Sequence, residues 1–208
     1  MPLSHLIFIP AVFLIGALAG FTVATRRGGR PTALLTTLGI FFVTLLVTHA
    51  APIPGGVHAL KASVNHQQLF DQHPTVSPDD VYRRISAFGA TGREAYQQFT
   101  YTTDLIFPLA LFLFLFALAR FVGERFGPMQ ILRRILRLGP ILWFASDLIE
   151  NGIIYFLLAT YPTLHAVPAS MLAYVTVSKF VLLLVSFALP LALYVLSLRK
   201  SPPTVAVA

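Results

Sequence analysis

Two carboxylates and an amide interrupt a long apolar stretch of the chain, residues 138–159. Asp147, Glu150 and Asn151 are spaced at i, i+3 and i+4, so a helix would place them on one face. Charged groups deep in a membrane are costly, and they usually face a partner or a cavity and mark function. These three side chains are therefore the first candidates for chemistry.

Lys179 is the candidate partner, because it is the one cation near the middle of an apolar run. At about 1.5 Å of rise per residue, Glu150 and Lys179 each lie about 16 Å from a helix end, near the centre of a hydrocarbon core about 30 Å thick. Their helices are consecutive and joined by a short loop, so we expect the side chains to meet. Because one cation faces two acids, either one carboxyl stays protonated, or a further cation or polar ligand completes the site.

Asp104 is a third acid, near the start of another apolar run, residues 101–122. It precedes Pro108 by four residues, and because proline has no N–H, the Asp104 carbonyl lacks its helical donor. A kinked helix with an acid at the kink commonly lines a cavity. The alternative is an interfacial Asp104 that is hydrated or paired with Arg93 or Lys61.

Two aromatic residues, Trp143 and Tyr155, flank the acids and could stack on a ring or hydrocarbon. Ordinary packing is the alternative for both, and for Trp143 the pattern favours an interfacial anchor. The candidate catalytic residues are therefore Asp104, Asp147 and Glu150, and the candidate binding residues are Asn151, Lys179, Trp143, Tyr155 and Arg93.

A purely structural interpretation competes with the functional one. In it, the buried ion pair only holds two helices in register, and Asn151 and Ser146 complete the hydrogen bonds. The functional interpretation depends on the surplus acid, because a carboxylic acid held protonated in apolar surroundings can donate or shuttle a proton. Both interpretations remain open at the level of sequence.

The composition of the 208-residue chain is that of a membrane protein: 56% of its residues are hydrophobic, 11% are charged, and the mean hydropathy is +0.76. Soluble domains carry roughly 25% charged residues. The net charge of +7 does not indicate nucleic-acid binding, because most basic residues lie in short loops between apolar runs. The absence of cysteine excludes disulfides and thiolate sites. No cofactor is predicted, although His5 and His49 could hold haem or a metal instead of merely hydrogen-bonding.

Five apolar segments are long enough to span a bilayer, which predicts an all-α, polytopic helix bundle forming one membrane domain, 1–208. The basic loops fall on one side, which places the N-terminus outside and the C-terminus inside a bacterial cytoplasmic (inner) membrane. Arg133, Arg134 and Arg137 predict a basic interfacial helix that binds anionic lipid headgroups. The predicted spans are about 4–25, 31–51, 101–122, 139–160 and 168–198.

The predicted outer loop, about 52–100, is too long to be a simple connector. Ser77 followed by proline and two acids predicts the start of a short amphipathic helix near 78–88, which Gly89 ends. A second capping pattern at Thr91 predicts a helix that runs unbroken into the third span.

Short motifs follow one another in a recognisable order between residues 92 and 179: GRxxY, DxxFP, DxxEN, YP and a lysine. In this combination the chain, over about residues 78–198, resembles a group of small uncharacterised bacterial multi-pass membrane proteins. The resemblance implies a fold and a shared polar site, but no reaction.

Three functions fit these features. The first is a site that binds a lipophilic small molecule or acts on it by acid/base chemistry. The second is a non-catalytic subunit of a larger membrane complex, or a homo-oligomer, for which the spacing of Gly16 and Gly20 would suit helix contacts. The third is a proton-coupled carrier, in which Asp104, Glu150 and Asp147 form a relay.

Overall fold

The computed structural model describes residues 30–126 and 129–198, so the predicted span 4–25 and His5 lie outside the described residues. Every regular element in the described part of the chain is a helix. The elements are α1 Pro31–Leu45, continued by a π-helical turn Leu46–Ala50, then α2 Val57–Ser63, α3 Pro78–Ala87, α4 Gly89–Thr100, α5 Thr103–Glu124, α6 Gln130–Thr160 and α7 Ala166–Leu198.

Four helical stretches of the described residues are long and apolar enough to cross a membrane: Pro31–Ala50, Gly89–Glu124, Gln130–Thr160 and Ala166–Leu198. The predicted all-α class is confirmed, whereas the count of five spans is not, because the first predicted span is outside the described residues. The four pack as a bundle in which α6 contacts both α5 and α7, and α1 contacts α5.

Helix α6 is longer than the sequence predicts. It begins at Gln130, so the basic segment that was expected to form a separate interfacial helix is instead the start of α6. The helix continues through Gly139 and Pro140 because tertiary packing overrides local propensity. A side chain at position 139 would lie 2.9 Å from the Ser186 hydroxyl of α7, so the glycine allows the two helices to approach closely.

Residues 51–102 form a helical cap over one end of the bundle. Ser77 accepts a hydrogen bond from the Asp80 N–H at 3.4 Å, as the capping pattern predicts. Val81 and Ile85 of α3 are fully buried against the ends of α6 and α7. The His165 N–H, in the loop between those helices, donates to the Tyr82 hydroxyl at 2.5 Å. The apolar face of α3 therefore packs on protein.

The entry into α5 also differs from expectation. Helix α4 begins at Gly89, whose φ of +69° ends α3, and not at the capping pattern around Thr91. The predicted unbroken helix is wrong, because Thr102 has non-helical angles, φ −122° and ψ −92°, and separates α4 from α5. This break lets α4 cover the bundle end while α5 enters the bundle.

We expect Gly92→Ala to destabilise the protein, because an added Cβ would lie 2.7 Å from the backbone oxygen of Ser63, which cannot move aside cheaply. The expected loss is about 1–3 kcal/mol, typical of overpacking. The measurement is thermal unfolding of the purified protein in lipid nanodiscs.

The matched control is Gly152→Ala, also in a helix, where an added Cβ meets nothing within 4 Å. Alanine there should be neutral or stabilising by up to about 1 kcal/mol. Equal stabilities of the two variants would contradict the close approach at Gly92.

Candidate functional site

An acid–lysine site joins α6 to α7. The Lys179 ammonium donates a hydrogen bond to Glu150 Oε2 and lies 3.2 Å from Asp147 Oδ1. All three side chains are buried, with exposed fractions of 9% for Lys179, 1% for Glu150 and 4% for Asp147. The spacing along the chain predicted this meeting, and the antiparallel packing of the two helices brings it about.

The hydrogen bonds around the two acids are unequal. Glu150 accepts from Lys179 at one oxygen and from the Thr176 hydroxyl at the other. Thr176, one turn before Lys179, provides the hydroxyl donor that the sequence predicts from Ser146. Asp147 Oδ2 is buried and has no hydrogen-bond donor among residues 30–126 and 129–198. The site therefore offers one open acceptor beside a lysine.

Asn151 connects this site to the kink in α5. Its side-chain amide donates to the backbone carbonyl of Asp104 at 3.0 Å. That carbonyl is the one for which Pro108 provides no N–H, so Asn151 replaces the missing helical hydrogen bond. The DxxEN segment of α6 and the DxxFP segment of α5 are therefore linked by one hydrogen bond, from the Asn151 amide to the Asp104 carbonyl.

A cavity of about 50 Å³ lies between the cap and the buried site. Its acidic lining comes from the cap loop, α5 and α6, through Asp71, Asp104 and Glu150. Asp104 thus faces a cavity, as the kink suggested, and is not paired with Arg93. The full lining is His49, Val57, Leu69, Asp71, Gln72, Tyr96, Phe99, Asp104, Glu150 and Ile154.

Three predicted binding residues lie away from the acids or serve packing. Trp143 is 3% exposed within the apolar core, so the interfacial-anchor interpretation is wrong: it shares the inward face of α6 with Asp147. Tyr155 is 44% exposed and contacts the ring of Tyr101. Arg93 lies over the Tyr161 ring at 4.4 Å and donates to a cap carbonyl.

Sequence reasoning missed Thr176 and Asp71. Thr176 had a usable signal, because a hydroxyl three residues before Lys179 lies on the same helix face. Asp71 had none, since it stands in a polar loop whose path depends on the fold. His49 is a candidate metal or haem ligand by sequence, and in the structure its Nδ1 lies 2.7 Å from the Thr48 hydroxyl. Among the residues that the structure describes, no group of three His, Cys, Asp or Glu could hold a metal ion.

Comparison with known proteins finds no protein-family model, no curated protein and no solved structure that matches the chain. The resemblance to small bacterial multi-pass proteins therefore stays a prediction, and the residues of the site are the basis for the proposed function.

We expect Lys179→Met to destabilise the protein by about 3–5 kcal/mol, because it leaves buried carboxylate charge uncompensated. The double variant Lys179→Met/Glu150→Gln should recover part of this loss, since a lone buried charge is worse than none. Thermal or denaturant unfolding in nanodiscs measures both. Lys61→Met, in the cap, is the matched control and should stay near wild type. A double variant no more stable than the single one would refute the pairing.

Asn151→Leu should cost about 1–3 kcal/mol, because the Asp104 carbonyl loses its donor. Pro108→Ala supplies a backbone N–H that can bond the same carbonyl, so the double variant should lose less than the sum of the two single variants. Unfolding of the four proteins of this cycle measures the coupling. Strictly additive effects would show that Asn151 and Pro108 do not share that carbonyl.

Proposed function

We propose that this protein binds a lipophilic small molecule at the acid–lysine site and acts on it by acid/base chemistry. The observation that carries the proposal is the buried, undonated Asp147 Oδ2 next to the Lys179 ammonium. Buried polar atoms without partners are rare, and each one calls for an explanation such as a functional role or a bound group. A ligand hydroxyl or amine would satisfy this oxygen.

The surroundings of the site favour a ligand that arrives from the bilayer. Ile149, Val177 and Phe180 neighbour the buried acids and lysine along α6 and α7, and their side chains are exposed on the apolar faces of the membrane-length helices. A molecule dissolved in lipid would therefore meet apolar surface close to the polar site. Ligand sites commonly combine an apolar wall with a few well-placed polar groups.

The chemistry follows from the charges. Lys179 balances only one of the two carboxylates, so a ligand that carries a proton donor completes the site. Each Glu150 oxygen accepts one protein donor, whereas Asp147 has an oxygen without any donor among the described residues and is therefore the group assigned to exchange a proton with a ligand. In this proposal Asp147 is the acid or base, Lys179 stabilises its charged form, and Glu150 orients Lys179. Asn151 ties α5 to the site through the Asp104 carbonyl.

Native mass spectrometry of the protein gently extracted from its own membranes tests the proposal. We expect a discrete non-protein mass that survives purification. It should be lost in Asp147→Asn/Glu150→Gln, because that variant removes both carboxylates of the site. Because the variant leaves Lys179 unpaired, the loss counts only if circular dichroism shows native helix content. The matched control is Asp79→Asn/Glu94→Gln, which makes the same changes at exposed positions of the cap and should keep the mass.

Each other outcome counts against the proposal. A mass retained by both double variants would be lipid bound elsewhere. Co-purifying proteins without a small molecule would favour the subunit of a larger membrane complex. Bare protein in every preparation would remove the support for a tightly held ligand and leave the proton-coupled carrier as the next candidate.

A further inference from the structure

The cavity beneath the cap is partly open, and both exposed and deeply buried residues line it. Gln72, which lines it, is exposed, whereas Glu150, which also lines it, is 1% exposed. The same Glu150 accepts a hydrogen bond from Lys179. One small cavity therefore separates the surface of the cap from the ion pair inside the bundle.

The volume and lining of this cavity suit water. A space of about 50 Å³ can hold about three to five water molecules, because each needs roughly 10–15 Å³ on this measure. Cavities that stay dry are apolar, whereas polar ones fill. The polar groups facing this one come from several separate segments and include acids, an imidazole, an amide and a phenol: His49, Asp71, Gln72, Tyr96, Asp104 and Glu150.

One group that lines the cavity lacks a hydrogen-bond partner, which a water molecule would supply. Asp71 Oδ1 is buried and has no hydrogen-bond partner within the described ranges 30–126 and 129–198. Asp71 lies in the cap loop next to the exposed Gln72, and both residues line the cavity. The Tyr96 hydroxyl already accepts the Phe70 N–H at 3.3 Å and still has its own proton to donate.

We infer that this cavity is a hydrated passage from the cap surface to Glu150. It admits water, protons carried by water, and cations of about the size of a water molecule. The described residues that line it include three carboxyl groups and no lysine or arginine, so the passage favours cations over anions. Protons that enter with the water reach Glu150, and through it the Lys179–Asp147 pair. A lipophilic ligand is not required for this passage, which concerns only the cap side of Glu150.

The test uses silver ion, a thiol-reactive cation of about the size of water, on the full chain in lipid nanodiscs in nitrate buffer. The chain has no cysteine, so single cysteines report cleanly. Ile154→Cys places a thiol on the cavity wall, one turn from Glu150. Leu157→Cys is the matched control, because Leu157 is on the same helix and in the same buried cluster but does not line the cavity. Unblocked thiols are counted by maleimide labelling of the unfolded protein.

We expect silver to block the thiol of the Ile154→Cys variant at least about tenfold faster than that of the Leu157→Cys variant, because a thiol outside the passage must wait for local opening of the structure. Adding Gln72→Trp, which would cover the exposed end, should slow the reaction of Ile154→Cys. Equal rates at the two positions, whether fast or slow, would overturn the inference.

A second pair keeps the test decisive if the α6 variants fold poorly. Leu69 lines the cavity from the cap loop and Leu60 of α2 does not, although the two leucines are equally buried, at 3% exposed each. Leu69→Cys should react faster than Leu60→Cys by a similar factor. If Leu69→Cys is no faster than Leu60→Cys, the passage is not hydrated.

Discussion

The contact of Lys179 with Glu150 and Asp147 is the interaction on which the described bundle depends. Each charge alone would be expensive to remove from water, and together they offset much of that cost. The contact therefore favours the observed register of α6 against α7, because Lys179 reaches both carboxylates only when it lies level with the turn that separates them. In the same register, Gly139 packs closely against Ser186 nearer the other end of the interface.

Backbone hydrogen bonding is the second constraint. Pro108 leaves the Asp104 carbonyl without a donor, and Asn151 fills that position from the neighbouring helix. Because Asn151 follows Glu150 directly, the same turn of α6 binds both the lysine of α7 and the kink of α5. Three helices are thus tied together at one level by two adjacent residues.

The cap determines the surroundings of the buried acids and of the turn of α6 that carries them. Buried apolar residues of α3 and α4 cover the ends of α6 and α7, and the loop that carries Asp71 closes over the cavity. The acids of the site are therefore unequal in their surroundings. Glu150 faces a polar cavity on the cap side, whereas Asp147, one turn earlier in α6 and further from the cap, is enclosed beside the lysine.

Much of this could be predicted from the sequence, because hydropathy and helical spacing are local properties. Apolar runs predicted the helical class and most of the described helices, and the spacing of Asp147, Glu150 and Asn151 put them on one face. The orphaned carbonyl at Asp104 followed from Pro108 alone. Only the tertiary structure decided that Asn151 is its donor, that Trp143 packs inside, and that Asp71 reaches the cavity beside Glu150. These facts depend on how separate segments pack in three dimensions, and no local pattern of residues records which distant groups will share a cavity.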